Sequence, residues 1–352
     1  MHFYPLMNNS INTAIRVIRS LIFSEKPNYV IAFIDGRCNM YCSFCCHAAK
    51  AVRTSPEMSA EQWGYILEGC NSLLQLTITG GEPFVRRDVK EVIESIIISS
   101  EVPRVSIRTN GFYKELIKET VVYLLEKFPQ TNFTLCISLD GPEKIHDQVR
   151  DFKGSYSKAL ETIDALVELR DKNDNFILRL DSILTDDNKG YMEDFLAETE
   201  SWPIDYHGII LVRDVPSKIQ EGLKDLYSKL SDQQMNRASK KWSSAIDGKL
   251  LRTLRIDTLD KIGNDETITP CHAGGRLVEI FPDGVVRGCE VAKLWDISEI
   301  GNVNADRIKL VDVLKSREAK DFRKLARTCT CTFECASTVN VAYDISKWKN
   351  LI

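Results

Sequence analysis

The sequence lacks any long apolar run and any excess of basic residues. No segment reaches the roughly 18 consecutive apolar residues that a membrane-spanning helix requires, and the amino-terminal residues lack the charged, apolar and small-residue order of a secretion signal. A formal net charge of -4 argues against binding to a phosphate backbone. We therefore expect a cytoplasmic protein with no transmembrane segment and no nucleic-acid partner.

Histidine is also scarce, whereas cysteine is abundant. The five histidines have no spacing that defines a metal site, but the 352 residues include 11 cysteines. The cytosol keeps thiols reduced, so this many cysteines favour metal ligation or redox chemistry over disulfides. The length, with 43% hydrophobic and 27% charged residues, allows one large α/β domain and a smaller one.

Strand-like and helix-like patterns alternate along much of the chain. Short apolar runs are typical of buried parallel strands, and the segments between them carry apolar residues at helical spacing. Six such β/α units in series predict a parallel sheet with helices outside it. The predicted strands are Tyr29–Ile34, Gln75–Thr79, Val105–Thr109, Phe133–Leu139, Phe176–Leu184 and Gly208–Val212. The predicted helices between them are Ser59–Cys70, Arg87–Ser99, Tyr113–Lys127, Ser155–Arg170 and Tyr191–Glu200.

Helical patterns flank this series, and a second module follows it. Ser10–Phe23 has the pattern of an amphipathic helix, and the polar residues of Ser217–Gly248 predict connecting helices. Further on, Leu277–Phe281 and Val285–Gly288 flank an Asp-Gly turn and predict a β-hairpin. A single helix is expected over Leu310–Ala326. The expected divisions are a lead-in over residues 1–28, a core over 29–215, connecting helices over 216–265 and a carboxyl-terminal module over 266–352.

A loop directly after the first predicted strand carries Cys38, Cys42 and Cys45. A zinc site normally draws four ligands from paired Cys or His residues, whereas this tract offers three regularly spaced thiols. Three thiolates on one loop can bind three irons of a [4Fe–4S] cluster and leave the fourth iron open to an exogenous ligand. The residues alone leave three interpretations: such a cluster, a structural zinc loop, or buried thiols.

The spacing Cys-x3-Cys-x2-Cys, with Phe44 before the third cysteine, resembles the signature of the radical S-adenosylmethionine (radical SAM) enzymes. The resemblance implies that Cys38, Cys42 and Cys45 are catalytic metal ligands and that S-adenosylmethionine (SAM) chelates the open iron. It also implies that the parallel sheet curls into a partial (β/α)6 barrel, which hydrophobic periodicity alone does not distinguish from a doubly wound sheet.

Residues at the ends of the next three predicted strands extend the resemblance. Gly80–Pro83 matches the radical SAM motif whose backbone and Glu contact the amino group of SAM. Small polar residues also follow the third and fourth predicted strands. They would either contact the cofactor or simply form turns. The stretch from Ser138 to Arg150 resembles that of radical SAM enzymes with a carboxyl-terminal iron–sulfur extension, and Arg150 or Arg179 is a candidate partner of the methionyl carboxylate. The expected SAM contacts are Gly80, Gly81, Glu82, Pro83, Asn110, Ser138, Asp140 and Arg150.

Five cysteines occur in the carboxyl-terminal module. Two sulfurs from the predicted hairpin and two from a distant loop are compatible with a fully ligated [4Fe–4S] cluster or with a zinc ribbon. The Cys-x12-Gly-x4-Cys spacing resembles the start of the SPASM and twitch extensions of radical SAM enzymes, which hold auxiliary clusters. Five cysteines are too few for two clusters, so one auxiliary [4Fe–4S] cluster is expected in a small α+β module, with Cys329 as the spare thiol. Its expected ligands are Cys271, Cys289, Cys331 and Cys335.

Three cysteines lie outside both groups. Cys70 is expected in a helix and Cys136 in a strand, each as a small buried apolar residue. Cys46 lies beside the cluster loop. There it is either a hydrogen-atom donor to a substrate radical or a packed bystander.

The resemblance implies an oxidoreductase-like enzyme that cleaves SAM reductively to a 5′-deoxyadenosyl radical, which removes hydrogen from a substrate C–H bond. The first hypothesis is oxidation or a related modification of a small molecule, with electrons from a reductant such as flavodoxin or ferredoxin. The alternatives are a maturase of a ribosomally made peptide and a non-enzymatic iron–sulfur or zinc scaffold. No residue of the sequence identifies the substrate.

Overall fold

The computed structural model describes residues 26–45, 57–212, 223–230, 270–290, 297–304, 308–329 and 333–344. Within these ranges, no helix is long and apolar enough to cross a membrane. Several sequence predictions fall on other residues. The predicted helix Ser10–Phe23, Cys46, Cys331 and most of Ser217–Gly248 lie outside the described residues, although residues 223–230 are helical.

In the described residues, nine strands form one mixed sheet. They are β1 (Tyr29–Asp35), β2 (Gln75–Gly80), β3 (Arg104–Thr109), β4 (Asn132–Ser138), β5 (Phe176–Leu184), β6 (Tyr206–Leu211), β7 (Leu277–Ile280), β8 (Val285–Arg287) and β9 (Glu299–Asn302). Their order in the sheet is β6-β5-β4-β3-β2-β1-β7-β8-β9. Strands β1 to β6 are parallel to their chain neighbours and β7 is parallel to β1, whereas β8 and β9 are antiparallel. The sheet is open, which confirms the expected α/β fold with a partial (β/α)6 barrel.

Helices connect the parallel strands β1 to β6. They are α1 (Ala60–Leu67), α2 (Val89–Ser100), α3 (Lys114–Lys127), α4 (Glu143–Arg150), α5 (Ser155–Lys172) and α6 (Met192–Thr199). After β9, the described part of the carboxyl-terminal module contains α7 (Leu310–Val313), α8 (Arg317–Ala326) and α9 (Glu334–Tyr343). Two short 3-10 helices cover Pro83–Val85 and Lys189–Tyr191. Helix α1 shows how local sequence fixes these positions, because Ser59 and Gln62 form a reciprocal capping box at its start. Its buried Trp63 and Ile66 then face the core.

The predicted strands are confirmed to within two residues at each end, and the predicted helices of the β/α series to within three. The prediction of one helix over Leu310–Ala326 is wrong. The Oγ of Ser316 accepts a hydrogen bond from the Ala319 N–H at 3.1 Å, so Ser316 caps a new helix, α8. Cys70 lies in the turn after α1 rather than in a helix, since Gly69 has a positive φ of 86°. Strand β9 and helices α4 and α9 were not predicted.

Strand β1 joins the two parts of the sheet. All seven of its residues are buried, and it pairs with β2 on one side and β7 on the other. Phe33 stacks on Phe281, with ring centroids 4.6 Å apart. At the other end of the strand, the N–H groups of Asn28 and Tyr29 donate to the Arg276 carbonyl at 2.8 and 2.9 Å. The carboxyl-terminal module therefore extends the barrel sheet.

We expect Phe281→Ala to lower the free energy of unfolding by about 3–5 kcal/mol, because Phe281 is 3% exposed and stacked on Phe33. Chemical denaturation of the full chain, followed by circular dichroism, measures the change. Ile98→Ala is the control, since Ile98 is 59% exposed and its truncation should change stability by less than about 0.5 kcal/mol. Equal stability of the two variants would contradict the packing role of Phe281.

Candidate active site

A cavity of about 240 Å³ opens at the carboxyl ends of the parallel strands. Its wall combines the loop after β1, the ends of β2, β3 and β4, and two residues of the carboxyl-terminal module, Glu290 and Cys335. Ligands bind at this edge of parallel α/β sheets because the loops converge there. The expected site residues that line the cavity are Cys38, Cys42, Cys45, Gly80, Gly81, Glu82, Asn110, Ser138, Arg150 and Cys335.

The loop after β1 brings three thiols to one side of the cavity. The backbone N–H groups of Tyr41 and Ser43 donate to carbonyls in the last turn of α4 at 3.2 and 2.9 Å. The Cys45 N–H donates to the Cys42 carbonyl at 3.1 Å and closes a turn between these two cysteines. Together with Cys38, they face a common space.

The chemistry of this donor set fits an iron–sulfur cluster. Burial raises the pKa of the Cys38 thiol to about 11, and it also raises the pKa of Cys42. Metal binding would therefore release protons from these thiols at neutral pH. Within the described ranges, no three His, Cys, Asp or Glu side chains are close enough together to bind a single metal ion. Three cysteines on one loop facing one space match the ligation of three irons of a [4Fe–4S] cluster.

Gly80 and Gly81 allow β2 to end directly against the cysteine loop. The Gly81 N–H donates to the Asp35 carbonyl, and the Glu82 N–H to the Arg37 carbonyl, both at 2.8 Å. A Cβ at Gly80 would lie 2.2 Å from the Asp35 oxygen, and one at Gly81 would lie 2.2 Å from the Arg37 oxygen. Any other residue at either position would push the two segments apart.

Glu82 is buried at the cavity wall and joins β2 to β3. Its Oε1 accepts hydrogen bonds from the Thr109 hydroxyl at 2.7 Å and from the Phe84 N–H at 3.1 Å, while Oε2 accepts from the Asn110 N–H at 2.7 Å. Burial raises the pKa of Glu82 to about 7, although these donors partly offset the effect. The carboxylate is thereby held where it can accept a hydrogen bond from a bound ammonium group.

Asn110 links β3 to the cysteine loop. Its Nδ2 donates to Asn39 Oδ1 at 2.8 Å, and its Oδ1 accepts from the Phe112 N–H at 3.0 Å. Ser138, at the end of β4, is half-buried and lines the same cavity. Polar groups from three neighbouring strand ends therefore face the space beside the three thiols.

Arg150 lies at the end of α4, against the cysteine loop. Its Nε donates to Asp140 Oδ2 at 2.6 Å, its Nη1 lies 3.6 Å from Cys42 Sγ, and its guanidinium lies over the Phe44 ring at 5.2 Å. Asp140 Oδ1 accepts from the Ile183 N–H at 2.8 Å. Asp140 is fully buried and does not line the cavity. It therefore positions Arg150 from the side that faces away from the cavity.

His146 was not predicted as part of this arrangement. Its Nδ1 accepts a hydrogen bond from the Asp140 N–H at 3.0 Å. Burial lowers the pKa of His146 to about 4, so the ring is neutral at pH 7 and can act as this acceptor.

Two other residues that the sequence offered as candidate SAM contacts, Pro83 and Arg179, are not part of the cavity wall. Pro83 starts a short 3-10 helix, and Arg179 pairs with Asp181.

Three of the four described carboxyl-terminal cysteines are buried, and one of them reaches the main cavity. Cys271 and Cys289 are 7% and 2% exposed, and Cys329 is half-buried. Cys335 lies in α9, whereas a loop was expected, and it lines the cavity with its Sγ accepting a hydrogen bond from the Tyr29 hydroxyl at 3.5 Å. The ligand set of an auxiliary cluster stays a prediction.

Polar side chains deeper in the cavity were missed in the sequence. Arg108 on β3 and Thr77 on β2 both line the wall, and the Tyr29 hydroxyl is 2.8 Å from Thr77 Oγ1. The available signal was the period-two alternation of Ser106, Arg108 and Asn110, which puts these three residues on one face of β3.

Residues 34–181 match the model of the Radical SAM superfamily, and this part of the chain is a radical SAM domain. Solved structures agree on the fold. The structure of native anSMEcpe with bound AdoMet has a TM-score of 0.61 at 16% identity and covers 92% of this chain and 95% of that one. Streptococcus suis SuiB bound to S-adenosylmethionine has a TM-score of 0.61 at 17% identity and covers 87% and 70%. A radical SAM domain implies SAM and a [4Fe–4S] cluster as cofactors.

Relatives by sequence include a maturation protein, a peptide cyclase and a nucleotide cyclase. The sporulation killing factor maturation protein SkfB of Bacillus subtilis is 24% identical over 85% of this chain and 67% of its own length. The PqqA peptide cyclase of Bradyrhizobium diazoefficiens is 28% identical over 38% of this chain and 34% of its own. The GTP 3′,8-cyclase of Desulforamulus reducens is 24% identical over 42% and 45%. The chain therefore spans less than half of either cyclase.

We expect Arg150→Met to lower the free energy of unfolding by about 3–5 kcal/mol, because it leaves the buried Asp140 carboxylate without its cation. Adding Asp140→Asn should recover much of the loss, since the unpaired charge is then removed. Chemical denaturation of the single and double variants measures both effects.

The control for this pair is Lys90→Met. Lys90 pairs with Glu119, whose side chain is 63% exposed, and loss of such a surface pair should change stability far less than loss of the buried pair. A double variant at Asp140 and Arg150 that is less stable than Arg150→Met would contradict the charge argument.

Proposed function

We propose that this protein is a radical SAM enzyme that modifies a ribosomally made peptide. The observation that carries the proposal is the extent of the similarity to SkfB, a maturation protein. That similarity covers 85% of the chain, far more than residues 34–181 of the radical SAM domain. It therefore extends into the carboxyl-terminal module, whose Glu290 lines the cavity.

A small-molecule substrate was the first expectation from the sequence, and it has weaker support. GTP 3′,8-cyclase of Desulforamulus reducens is one relative that favours it, and its similarity covers 42% of the chain. The structure of SuiB bound to the precursor peptide SuiA has the same fold as this chain, with a TM-score of 0.59. Both lines of similarity favour the peptide maturase that the sequence left as an alternative.

In the proposed site, Cys38, Cys42 and Cys45 hold three irons of the cluster. When bound, the cluster and SAM supply a 5′-deoxyadenosyl radical that removes a hydrogen atom from a substrate carbon. Glu82 accepts the SAM ammonium group, and Arg150 at the cysteine loop pairs with the SAM carboxylate. Asn110 and Ser138 are further proposed contacts of the cofactor.

The barrel wall protects this chemistry from water. Ile31, Phe33, Ile183 and Ile210 line the cavity together with the polar groups. An apolar wall excludes solvent from a reactive intermediate and restricts the orientation of the substrate. These residues would therefore direct hydrogen removal to one carbon.

An auxiliary [4Fe–4S] cluster belongs to the same proposal. Its proposed ligands are Cys271, Cys289, Cys331 and Cys335, of which three are buried in the described part of the module. If the carbon radical bonds to a second group that loses a proton, the peptide loses two hydrogen atoms in all, so one further electron must leave it; a second cluster would accept that electron. The oxidoreductase character of the enzyme rests on this step. A reductant such as flavodoxin or ferredoxin and a cytoplasmic location would keep the clusters and thiols reduced.

The first test is SAM cleavage by the full chain, reconstituted anaerobically with iron and sulfide. With dithionite and SAM, we expect 5′-deoxyadenosine to form, as measured by liquid chromatography and mass spectrometry. Cys42→Ala should reduce its formation to background because one iron loses its ligand. Cys70→Ala should retain it, since Cys70 is buried beyond α1 and does not line the cavity. No product from the wild-type chain would favour the non-enzymatic scaffold instead.

The second test counts metal atoms. The reconstituted wild-type chain should contain about eight irons, and the Cys271→Ala/Cys289→Ala variant about four, because each cluster holds four. Inductively coupled plasma mass spectrometry measures iron and zinc together. About four irons with one zinc in the wild-type chain would show that the carboxyl-terminal cysteines form a zinc site.

A further inference from the structure

Arg108 is a partly exposed cation within the main cavity. It lies on β3 and lines the cavity wall, and 31% of its side chain is exposed. Its Nη1 donates to Asp181 Oδ2 at 2.9 Å. A guanidinium has five N–H donors in a planar fork. In the described part of the chain, Arg108 donates to this carboxylate through one nitrogen, Nη1. The other donors remain for a ligand.

The carboxylate that holds Arg108 is shared with a second arginine. Arg179 donates from Nε to Asp181 Oδ1 at 2.6 Å, so each oxygen of Asp181 serves a different guanidinium. Asp181 is buried, with 5% of its side chain exposed. One carboxylate between two guanidinium groups orients both but does not neutralise both. Arg108 therefore presents positive charge to the cavity in a fixed orientation.

Two hydroxyl groups lie near Arg108. Tyr29 Oη and Thr77 Oγ1 are 2.8 Å apart, and Thr77 lines the same wall. A site with one oriented guanidinium and nearby hydroxyl groups is suited to an anion.

This position is separate from the proposed SAM carboxylate contact. Arg150 lies at the cysteine loop, with Nη1 3.6 Å from Cys42 Sγ. Arg108 precedes Asn110 by two residues along β3, which places it about 7 Å deeper along the strand. The two arginines therefore serve different depths of one cavity.

We propose that Arg108 binds a carboxylate of the substrate, either an Asp or Glu side chain or a carboxyl terminus. The inference deepens the proposed function, on which it rests for the identity of the substrate as a peptide. A carboxylate matches the planar guanidinium with two parallel hydrogen bonds. A phosphate dianion would instead bring excess negative charge into a cavity that Glu290 also lines.

The test uses the full chain, reconstituted anaerobically and saturated with SAM. The probes are acetylated and amidated tripeptides with Glu, Gln or phosphoserine between two alanines. Calorimetric titration should show the Glu probe binding about tenfold more tightly than the Gln probe, a difference of about 1.4 kcal/mol, since hydrogen bonds between two charged groups are stronger than those to a neutral amide. Arg108→Gln should reduce this preference to less than about twofold, and Arg108→Lys should retain part of it because the charge remains.

Arg170→Gln is the matched control. Arg170 also pairs with a buried aspartate, Asp205, at 3.0 Å, but it lies on α5 and does not line the cavity. This variant should keep the wild-type preference for the Glu probe. Arg108→Gln should also bind SAM as the wild-type chain does, and circular dichroism checks that both variants fold.

Three results would overturn the assignment. They are equal binding or no binding of the Glu and Gln probes by the wild-type chain, tighter binding of the phosphoserine probe, and loss of SAM binding in Arg108→Gln. Formation of 5′-deoxyadenosine is measured in parallel without peptide. If it forms while the Glu preference is absent, the carboxylate site fails and the radical SAM function stands. If it does not form, the proposed function fails independently of the peptide titrations.

Discussion

The site depends on the close approach of two glycines to the chain that leaves β1. Gly80 and Gly81 sit where a Cβ would meet backbone oxygen at 2.2 Å. Because no side chain intervenes, the backbone of β2 continues its hydrogen bonding past the end of β1, to Asp35 and then to Arg37. The cysteine loop begins at the next residue. The position of the thiols relative to Glu82 is therefore set by backbone contact, not by flexible side chains.

A second constraint organises the charges of the cavity. Each arginine on its wall is held by a buried aspartate, Arg150 by Asp140 and Arg108 by Asp181. Buried aspartates of this kind are expensive to desolvate unless they are paired. Pairing also fixes the guanidinium groups before any ligand arrives, which reduces the ordering cost of binding. The protein thus offers two oriented cations at two depths, and they are suited to two different anionic groups.

Much of the fold could be predicted because the relevant signals are local. The buried runs of β1 to β6 and the capping residues of α1 specify elements with little help from tertiary contacts. The failures are also local in origin. Ser316 satisfies a helix N-terminus as well as it would continue a helix, so periodicity over Leu310–Ala326 could not show the break. Strand β9 is short and its pattern is too brief to distinguish from a loop.

The site was predictable to a different extent. Motif spacing identified the three thiols and Glu82, because these residues are close in sequence to strand ends. The ion-pair partners of a charged side chain depend on which strands are adjacent in the sheet. The spacing of residues along the sequence does not show which strands are adjacent. Asp181 and Arg108 are 73 residues apart, and they meet only because β3, β4 and β5 are neighbours in the sheet. For the same reason, Arg179 was a candidate cofactor contact in the sequence but is an ion-pair partner of Asp181 in the structure.

The carboxyl-terminal module gives the cavity its remaining wall. Strand β7 pairs with β1 along the side of the sheet opposite β2, so residues that follow it can reach the space above β1. Glu290 and Cys335 do reach it. A substrate in this space would contact the module as well as the barrel, whereas the motif residues for the cofactor all lie on the loop after β1, the strand ends and α4. The proposed cofactor contacts therefore come from the barrel alone, whereas the proposed substrate contacts come from both the barrel and the module. Similarity confined to the barrel is accordingly weak evidence about the substrate, and similarity that includes the module is stronger.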